Sequence, residues 1–391
     1  MTLILNEAWS AANDPDSIPP LPSSVPRPAW WNPPAPISTG DFSILDAALG
    51  TATESGVHHR RVPSAGGLYP VDVADIDGMS ATLALLWWRT VAKYGHRGWI
   101  SSLLDAGHAI ASVEIMAARA GYPVRSISIT DSAPQRHPRR EKHDAQRAPV
   151  PYIRIEFVRP VSDELSTWSG PVMADSSDET IPPAAGTEPA EVLRLALKLG
   201  QGGVSLDPLG DNAPLWREME AVTVSDIVRR RSGVWDASDP VPTWLLEQLA
   251  VVLPTGAVMQ QIEPDGLWRV SDQGPRAIAA GDARPTLSHW CGGQDIVSAA
   301  GAVVATTAPP AWEDAATAGR TVIDAGRRIH CAHLLCTHHG FDSRPIAGWA
   351  GADIGTAVKS SPALIAHALA IGPRVTHEPP PKTIREDTDR D

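Results

Sequence analysis

The spacing of apolar residues along the chain follows two periods, and each period predicts one kind of element. Apolar side chains recur every three to four residues over 102–121 and 317–340, which predicts two long helices. Alternation over 124–130 and 152–158 predicts two strands. Weaker patterns predict the remaining elements: helices over 41–49, 188–199, 222–231 and 244–253, strands over 82–88 and 267–270, and a helix or strand over 361–371.

The two long helical patterns are also a repeat in sequence. The run Asp-Ala-Gly at 105–107 recurs at 324–326, and Gly121 recurs as Gly340, at one offset of 219 residues. Apolar positions between these markers match at the same offset, without a gap. A repeat of this kind predicts a duplicated domain, and two copies that embrace each other imitate a homodimer.

Proline content and charge divide the chain into five predicted segments. A proline-rich arm over 1–40 precedes a first domain over 41–160, and an acidic linker over 161–189 leads to a second domain over 190–375. A charged tail occupies 376–391. The predicted fold class is α+β, a tandem duplicated fold that forms a pseudo-dimer around its long central helices.

Charge and cysteine content narrow the class of protein. The formal net charge of −12 argues against general binding to nucleic acid or to an anionic membrane, which needs excess Lys and Arg. The apolar run over 83–88 is too short to cross a bilayer. Three cysteines without a CxxC pair fit a reducing cytoplasm, and we expect Cys331 and Cys336 to be core thiols.

Two motifs in the first half carry candidate chemistry. The loop 60–70 reads RRVPSAGGLYP, whose small residues let a backbone approach a flat ring closely. The run 93–99, KYGHRGW, leads into LLDAGH at 103–108. Together they resemble the PSAGxLYP loop and the KYGxRxYR…LLDAGH segment of SagB-type azoline dehydrogenases, a branch of the nitroreductase superfamily. The resemblance covers roughly 41–130 and 221–386.

The second half adds RRRS at 229–232, which resembles the segment that holds the flavin phosphate in that superfamily. There each flavin lies between two copies, so the resemblance implies one composite FMN site, with the loop from the first half and Arg230 from the second. We expect Arg230 and Ser232 at a helix start, where the dipole favours phosphate. The implied cofactor-binding residues are Arg61, Pro63, Ser64, Ala65, Gly66, Gly67, Arg230, Ser232, Lys382 and Arg385.

The resemblance also implies a reaction. Lys93 and Tyr94 match the pair that the family is thought to use for catalysis, with Arg97 and His108 as further polar groups. A histidine at the contact between two packed copies, as we expect for His108, is more often structural than catalytic. The implied function is FMN-dependent oxidation of azolines to azoles in a ribosomally made peptide such as a thiopeptide antibiotic. The implied partners are a precursor peptide and a cyclodehydratase, and a homodimer stays open. No metal is expected.

Two other functions remain open at this point. Pro63 and Asp105 are 42 residues apart, whereas Pro254 and Asp324 in the second half are 70 apart. The shorter first half, and Val234 where a basic residue is usual, fit a degenerate, flavin-free structural or substrate-presenting subunit. The third hypothesis is an NAD(P)H-dependent nitro or quinone reductase. Bound flavin separates the first hypothesis from the second, and NADH consumption identifies the third.

Overall fold

The computed structural model describes most of the two predicted domains. The predicted arm over 1–40, most of the acidic linker and the tail over 376–391 lie outside the described residues, and so do Lys382 and Arg385. The described residues are 43–54, 57–132, 151–161, 189–230, 232–261, 266–349 and 351–374.

The helices include two of 24 residues each, α3 and α10, and several short ones. In chain order the α-helices of the described residues are α1 (Ile44–Leu49), α2 (Trp88–Tyr94), α3 (His96–Arg119), α4 (Pro189–Gln201), α5 (Ala213–Met219), α6 (Val224–Arg229), α7 (Thr243–Val252), α8 (Arg284–Trp290), α9 (Asp295–Ser298), α10 (Ala315–His338) and α11 (Ile354–Ala357).

The strands form a hairpin and two antiparallel sheets. In chain order they are β1 (Thr51–Glu54), β2 (Val57–Arg60), β3 (Val71–Ile76), β4 (Ser80–Leu85), β5 (Val124–Thr130), β6 (Tyr152–Phe157), β7 (Ser205–Leu206), β8 (Val258–Gln261), β9 (Gly266–Ser271), β10 (Gly274–Ala280), β11 (Ala302–Ala308), β12 (Phe341–Ile346) and β13 (Leu364–Arg374).

One sheet takes strands from both halves of the chain, since β7 of the second half pairs with β5 of the first, and the other sheet lies wholly in the second half. The five-stranded sheet has the order β3-β4-β6-β5-β7, and the six-stranded sheet has the order β10-β9-β8-β11-β13-β12. Alternate side chains such as Ile127 and Ile129 in β5 are buried in a hydrophobic core that also contains residues of α3 and α10. The alternation read from the sequence thus marks the buried face of the sheet.

The two long helices cross at their repeated glycines. A Cβ atom on Gly107 would lie 2.8 Å from the Gly326 Cα, and one on Gly326 would lie 3.1 Å from the Gly107 Cα. Both helices begin and end at the 219-residue offset seen in the sequence. The absence of side chains at these two positions is what lets the helix backbones touch.

A buried ion pair fixes the same crossing. Arg327 of α10 donates from Nε (3.1 Å) and Nη2 (2.9 Å) to Oε2 of Glu114 on α3, a forked pairing. Glu114 also accepts the backbone N–H of Leu209 at 2.8 Å. Because both charged groups are almost fully buried and mutually satisfied, the register of α3 against α10 is strongly determined.

Most sequence predictions for elements are confirmed, with some differences. The long helices, β5, β6, α4, α6 and α7 lie where the patterns place them, and 364–374 is a strand. The extended segment predicted over 82–88 ends at Leu85, because Trp88 already begins α2. Helix α6 ends at Arg229, so the prediction of a helix through 231 was too long.

Candidate functional site

The loop 61–70 lies between the β1–β2 hairpin and β3, and it folds back on itself. Ala65, Gly66 and Gly67 form a single 3-10 turn in which both glycines have positive φ, 61° and 66°. Tyr69 has a φ of 47°, which is uncommon for a residue with a side chain. Gly66 is exposed while its neighbours are half-buried, so the turn presents backbone at the surface of the site.

Asp105 of α3 anchors this loop. Its Oδ2 accepts the Ser64 hydroxyl at 2.6 Å and the Ala65 backbone N–H at 3.2 Å, and the Ser64 Oγ in turn accepts the Tyr69 N–H at 2.8 Å. Burial raises the pKa of Asp105 to about 7, although the bonds from Ser64 and Ala65 favour its charged form. The sequence marked Asp105 only as part of the repeat and of the LLDAGH segment, and its role as anchor was missed.

A second charged group supports the far side of the loop. Asp72 at the start of β3 pairs with Arg60 at 2.6 Å and with Arg89 of α2 at 2.9 Å. Arg89 also donates to the Tyr69 carbonyl at 2.8 Å. Burial opposes the charge on Asp72, but the two guanidinium groups hold its pKa below the usual range. The strained backbone at Tyr69 is therefore held by an ionised cluster in which Asp72 and Arg89 are buried and Arg60 is half-buried.

Lys93 and Tyr94 lie at the end of α2 and face the turn. Both side chains are half-buried, and the Lys93 Nζ lies 5.0 Å from the centre of the Tyr94 ring. A Cβ on Gly66 would collide with the Tyr94 hydroxyl and lie 2.8 Å from the Lys93 Nζ. Only glycine at 66 lets both polar groups reach the loop backbone, so the structure brings these predicted residues together.

Arg230 brings the second half of the chain to the same loop. Its Nε donates to the Arg61 carbonyl at 2.8 Å, and its Nη2 donates to the same oxygen. Arg230 is 3% exposed and Arg61 is 5% exposed. The two halves therefore meet at this loop, as the composite arrangement requires, but through a backbone carbonyl and with the Arg230 side chain buried.

The expected helix start at Arg230 and Ser232 is wrong. Arg230 follows the last residue of α6, with an extended ψ of 130°, and Ser232 lies exposed in a coil. The helix that precedes Arg230 points its carbonyl end toward it, which favours a cation there but offers no N–H groups to a phosphate. The predicted helix had been extended over polar residues to 231, and the sequence gave no sign that α6 ends at Arg229.

Arg97 and His108, the two further polar candidates, serve the seam between the halves. The Arg97 Nη2 donates to the Trp349 carbonyl at 2.7 Å. His108 of α3 contacts His330 of α10 at 3.3 Å and His367 of β13 at 2.8 Å. Both are thus partnered across the two halves, and the interpretation of His108 as a satisfied seam residue is confirmed. His330 and His367 were not singled out in the sequence.

Two further features bear on the kind of protein. Within the described ranges, no group of His, Cys, Asp and Glu is arranged to hold a metal ion, and no helix is long and apolar enough to cross a membrane. Cys291, Cys331 and Cys336 are free and buried, which confirms the core-thiol prediction for the last two. Burial raises the pKa of Cys331 and of Cys336 to about 12, so these thiols stay protonated.

Comparison with known proteins gives a fold and little more. No family model matches the chain, and no curated protein matches it in sequence. The structure is similar to the crystal structure of a protein assigned as a nitroreductase from Anabaena variabilis, with a TM-score of 0.64. The match covers 95% of this chain and 99% of that chain, at 14% sequence identity. The chain therefore has a nitroreductase-type fold of mixed helices and sheets.

Proposed function

We propose that the chain is an FMN-dependent oxidoreductase of the SagB type, which dehydrogenates azolines in a ribosomally made peptide. The observation that carries the proposal is the convergence of the Lys93 Nζ and the Tyr94 hydroxyl on the Gly66 turn. Two proton-transfer groups beside exposed backbone are what an oxidation at a flat cofactor needs. The repeat of α3 in α10 supports a tandem duplicate, with both halves contributing to one site.

The residues at the turn fit the edge of a flavin ring. Gly66 is exposed and carries no side chain, and the flanking Ala65 and Gly67 are small. A larger residue at 66 would fill the space against Lys93 and Tyr94. Bound FMN would supply the acceptor for the hydride that leaves the azoline. In this proposal the 65–67 backbone holds the ring edge and excludes water from one side.

Arg230 fits a different part in the proposal from the one that the resemblance implied. Its guanidinium already donates two N–H groups to the Arg61 carbonyl and is almost fully buried. We infer that Arg230 positions the loop rather than the phosphate. Lys382 and Arg385, which lie outside the described residues, stay the predicted phosphate contacts of the tail.

The proposed proton transfer uses groups at the end of α2. Oxidation of an azoline removes one hydrogen as a proton from the carbon next to the carbonyl and one as hydride from its neighbour, so no further oxidant is consumed at the ring. We assign the proton to Lys93 or Tyr94, since both lie at the turn and both accept protons in one ionisation state. The Asp105 anchor holds the turn in place while this happens.

Absorption by the purified protein tests flavin binding, and two variants test catalysis. We expect about one FMN per chain, since one complete set of groups binds one cofactor. Lys93→Ala and Tyr94→Phe should keep the flavin spectrum but slow single-turnover flavin reduction by an azoline peptide about 10²–10⁴-fold. Lys198→Ala and Tyr122→Phe, away from the turn, serve as matched controls. Wild-type rates in both flavin-replete variants would exclude the pair as catalysts.

One observation favours the second candidate, a flavin-free subunit that presents the peptide substrate. The burial of Arg230 removes one of the two phosphate-binding groups that the resemblance implied in the second half. Colourless protein that takes up no added FMN, yet binds precursor peptide, would establish this role. Yellow protein that oxidises NADH in the presence of a nitroarene or quinone would instead assign the reductase function.

A further inference from the structure

Three buried histidines are linked by hydrogen bonds across the seam between the two halves of the protein, behind the loop 61–70. We call this group the histidine relay. His367 of β13 lies with its Nδ1 3.0 Å from the Ile346 carbonyl and its Nε2 2.8 Å from the Nε2 of His108. The Nδ1 of His108 lies 3.3 Å from the Nδ1 of His330. All three rings are almost fully buried. The histidine relay thus joins β13, α3 and α10, which are elements of both halves.

The Ile346 carbonyl determines which ring nitrogens of the histidine relay carry a hydrogen. Burial lowers the pKa of His367 to about 4 and holds those of His108 and His330 well below the usual range, so each ring is neutral at pH 7. A carbonyl only accepts, so the Nδ1 of His367 carries a hydrogen and its Nε2 is a bare acceptor. His108 therefore donates from Nε2, and its bare Nδ1 accepts from the Nδ1 of His330.

The assignment leaves His330 with a lone pair on Nε2. This atom is buried and has no hydrogen-bond partner among the described residues. A buried acceptor without a donor costs about 1–3 kcal/mol. In native proteins such an atom usually marks an ordered water or a bound group. The hydrogen bonds along the histidine relay also polarise one another, which makes the His330 Nε2 at its end a stronger acceptor.

We propose that His330 Nε2 is a binding point for a neutral N–H or O–H donor, either an ordered water or a group of the ligand held at this seam. The nearby Arg230 guanidinium, which acts electrostatically on both His330 and His108, disfavours a cationic donor here. An anion is excluded because His330 Nε2 carries no hydrogen to give it. The site is therefore selective for neutral donors, and it is distinct from a phosphate contact.

The tautomers give the first test, and they do not depend on whether the chain binds flavin. In protein labelled with ¹⁵N-histidine, long-range proton–nitrogen correlation at pH 7.5 should show His367 and His330 protonated at Nδ1 and His108 at Nε2. Single substitutions of each histidine assign the signals, and His289, outside the relay, provides a reference spectrum. Protonation of His330 at Nε2, or a doubly protonated His108, would overturn the proposal.

The donor itself is found by cross-relaxation between water and the Hε1 proton of His330. The measurement is made on protein as purified, after removal of small molecules by gel filtration at high salt, and after addition of FMN. A water signal in every state identifies water as the donor; a signal that appears on stripping, or disappears with FMN, identifies a ligand group. His330→Asn should abolish the signal, whereas His339→Gln should not. No water signal and no change in the Nε2 shift in any state would refute the site.

Discussion

Asp105 is the residue at which the loop depends most directly on pH. Its pKa in the folded protein is about 7, above the ordinary value of 3.8, because burial disfavours its charge. A raised pKa of this kind contributes stability that is complete below about pH 4 and is lost as pH rises through about 7. The difference in pKa corresponds to at most about 4 kcal/mol.

We predict that Asp105→Asn removes this dependence. Urea denaturation between pH 5 and 8 should show the free energy of unfolding of the wild type falling with pH, while the variant shows a flatter profile. Asp324→Asn at the equivalent position of α10, where the carboxylate pairs with Arg327 and Arg328, is the control and should keep the wild-type slope. An identical slope in wild type and Asp105→Asn would mean that another group titrates.

Gly66→Ala should separate stability from activity at the turn. An alanine at a φ of 61° costs about 1–2 kcal/mol, and its Cβ displaces the Tyr94 hydroxyl and the Lys93 Nζ. A displacement of about 1 Å in a reacting group lowers rates by about 100-fold. We therefore expect single-turnover reduction to fall far more than the midpoint of thermal unfolding. Equal activity in Gly66→Ala would show that the two side chains act elsewhere.

Candidate site residues could be picked out from the sequence where they are neighbours along the chain. Lys93 and Tyr94 were singled out because both belong to one local run, and the structure places that run beside the Gly66 turn. The relay of His108, His330 and His367 was missed because its members are 222 and 259 residues from His108 in sequence. The expected helix start at Arg230 was wrong because the residue types around it do not reveal where α6 ends, and its burial against the Arg61 carbonyl could not be read from the sequence.

At the scale of elements, prediction followed the strength of the periodic signal. The helices α3 and α10 have long apolar faces, and β5 and β6 alternate cleanly, so the ends of all four were placed within six residues. Strand β11 was missed because nearly all its residues are buried, so its sequence AVVATTA shows no alternation of apolar and polar positions. Strand β10 was missed for the opposite reason, since most of its side chains are exposed at the sheet edge.

The contact between α3 and α10 predicts a large effect of the smallest substitution. Gly107→Ala should collide with the Ile323 carbonyl, and Gly326→Ala with the Leu104 carbonyl, so the helices must separate. Overpacking of this kind typically costs about 1–3 kcal/mol. Gly210→Ala, where an added Cβ meets nothing within 4 Å, is the matched control. Midpoints and slopes of urea denaturation measure the effect, and an unchanged Gly107→Ala would disprove the close approach.

At the scale of the whole molecule, the two halves share a core and meet through polar contacts at three levels. The Glu114–Arg327 pair, the histidine relay and the bond from Arg230 to the Arg61 carbonyl each join one half to the other. One continuous hydrophobic cluster contains residues of both sheets. The loop that carries the proposed chemistry is thus held by the seam itself, and damage to the seam should reach it.

Arg230 provides the test of that coupling. If its guanidinium braces the loop, then Arg230→Ala loses a bond from a charged donor and should lower the free energy of unfolding by about 1.5–3 kcal/mol even in flavin-free protein. If it holds a phosphate instead, the loss should appear only with FMN bound, because a ligand stabilises only the state that binds it. Urea denaturation with and without FMN distinguishes the two outcomes. Arg154→Ala, which removes an exposed pair with Asp77, is the control and should cost about 0–1 kcal/mol. Since the brace fixes the backbone at Arg61, two residues before Pro63, we also expect Arg230→Ala to slow reduction at the turn, and Arg230→Lys to restore it only in part, because a single ammonium cannot reproduce the forked bond.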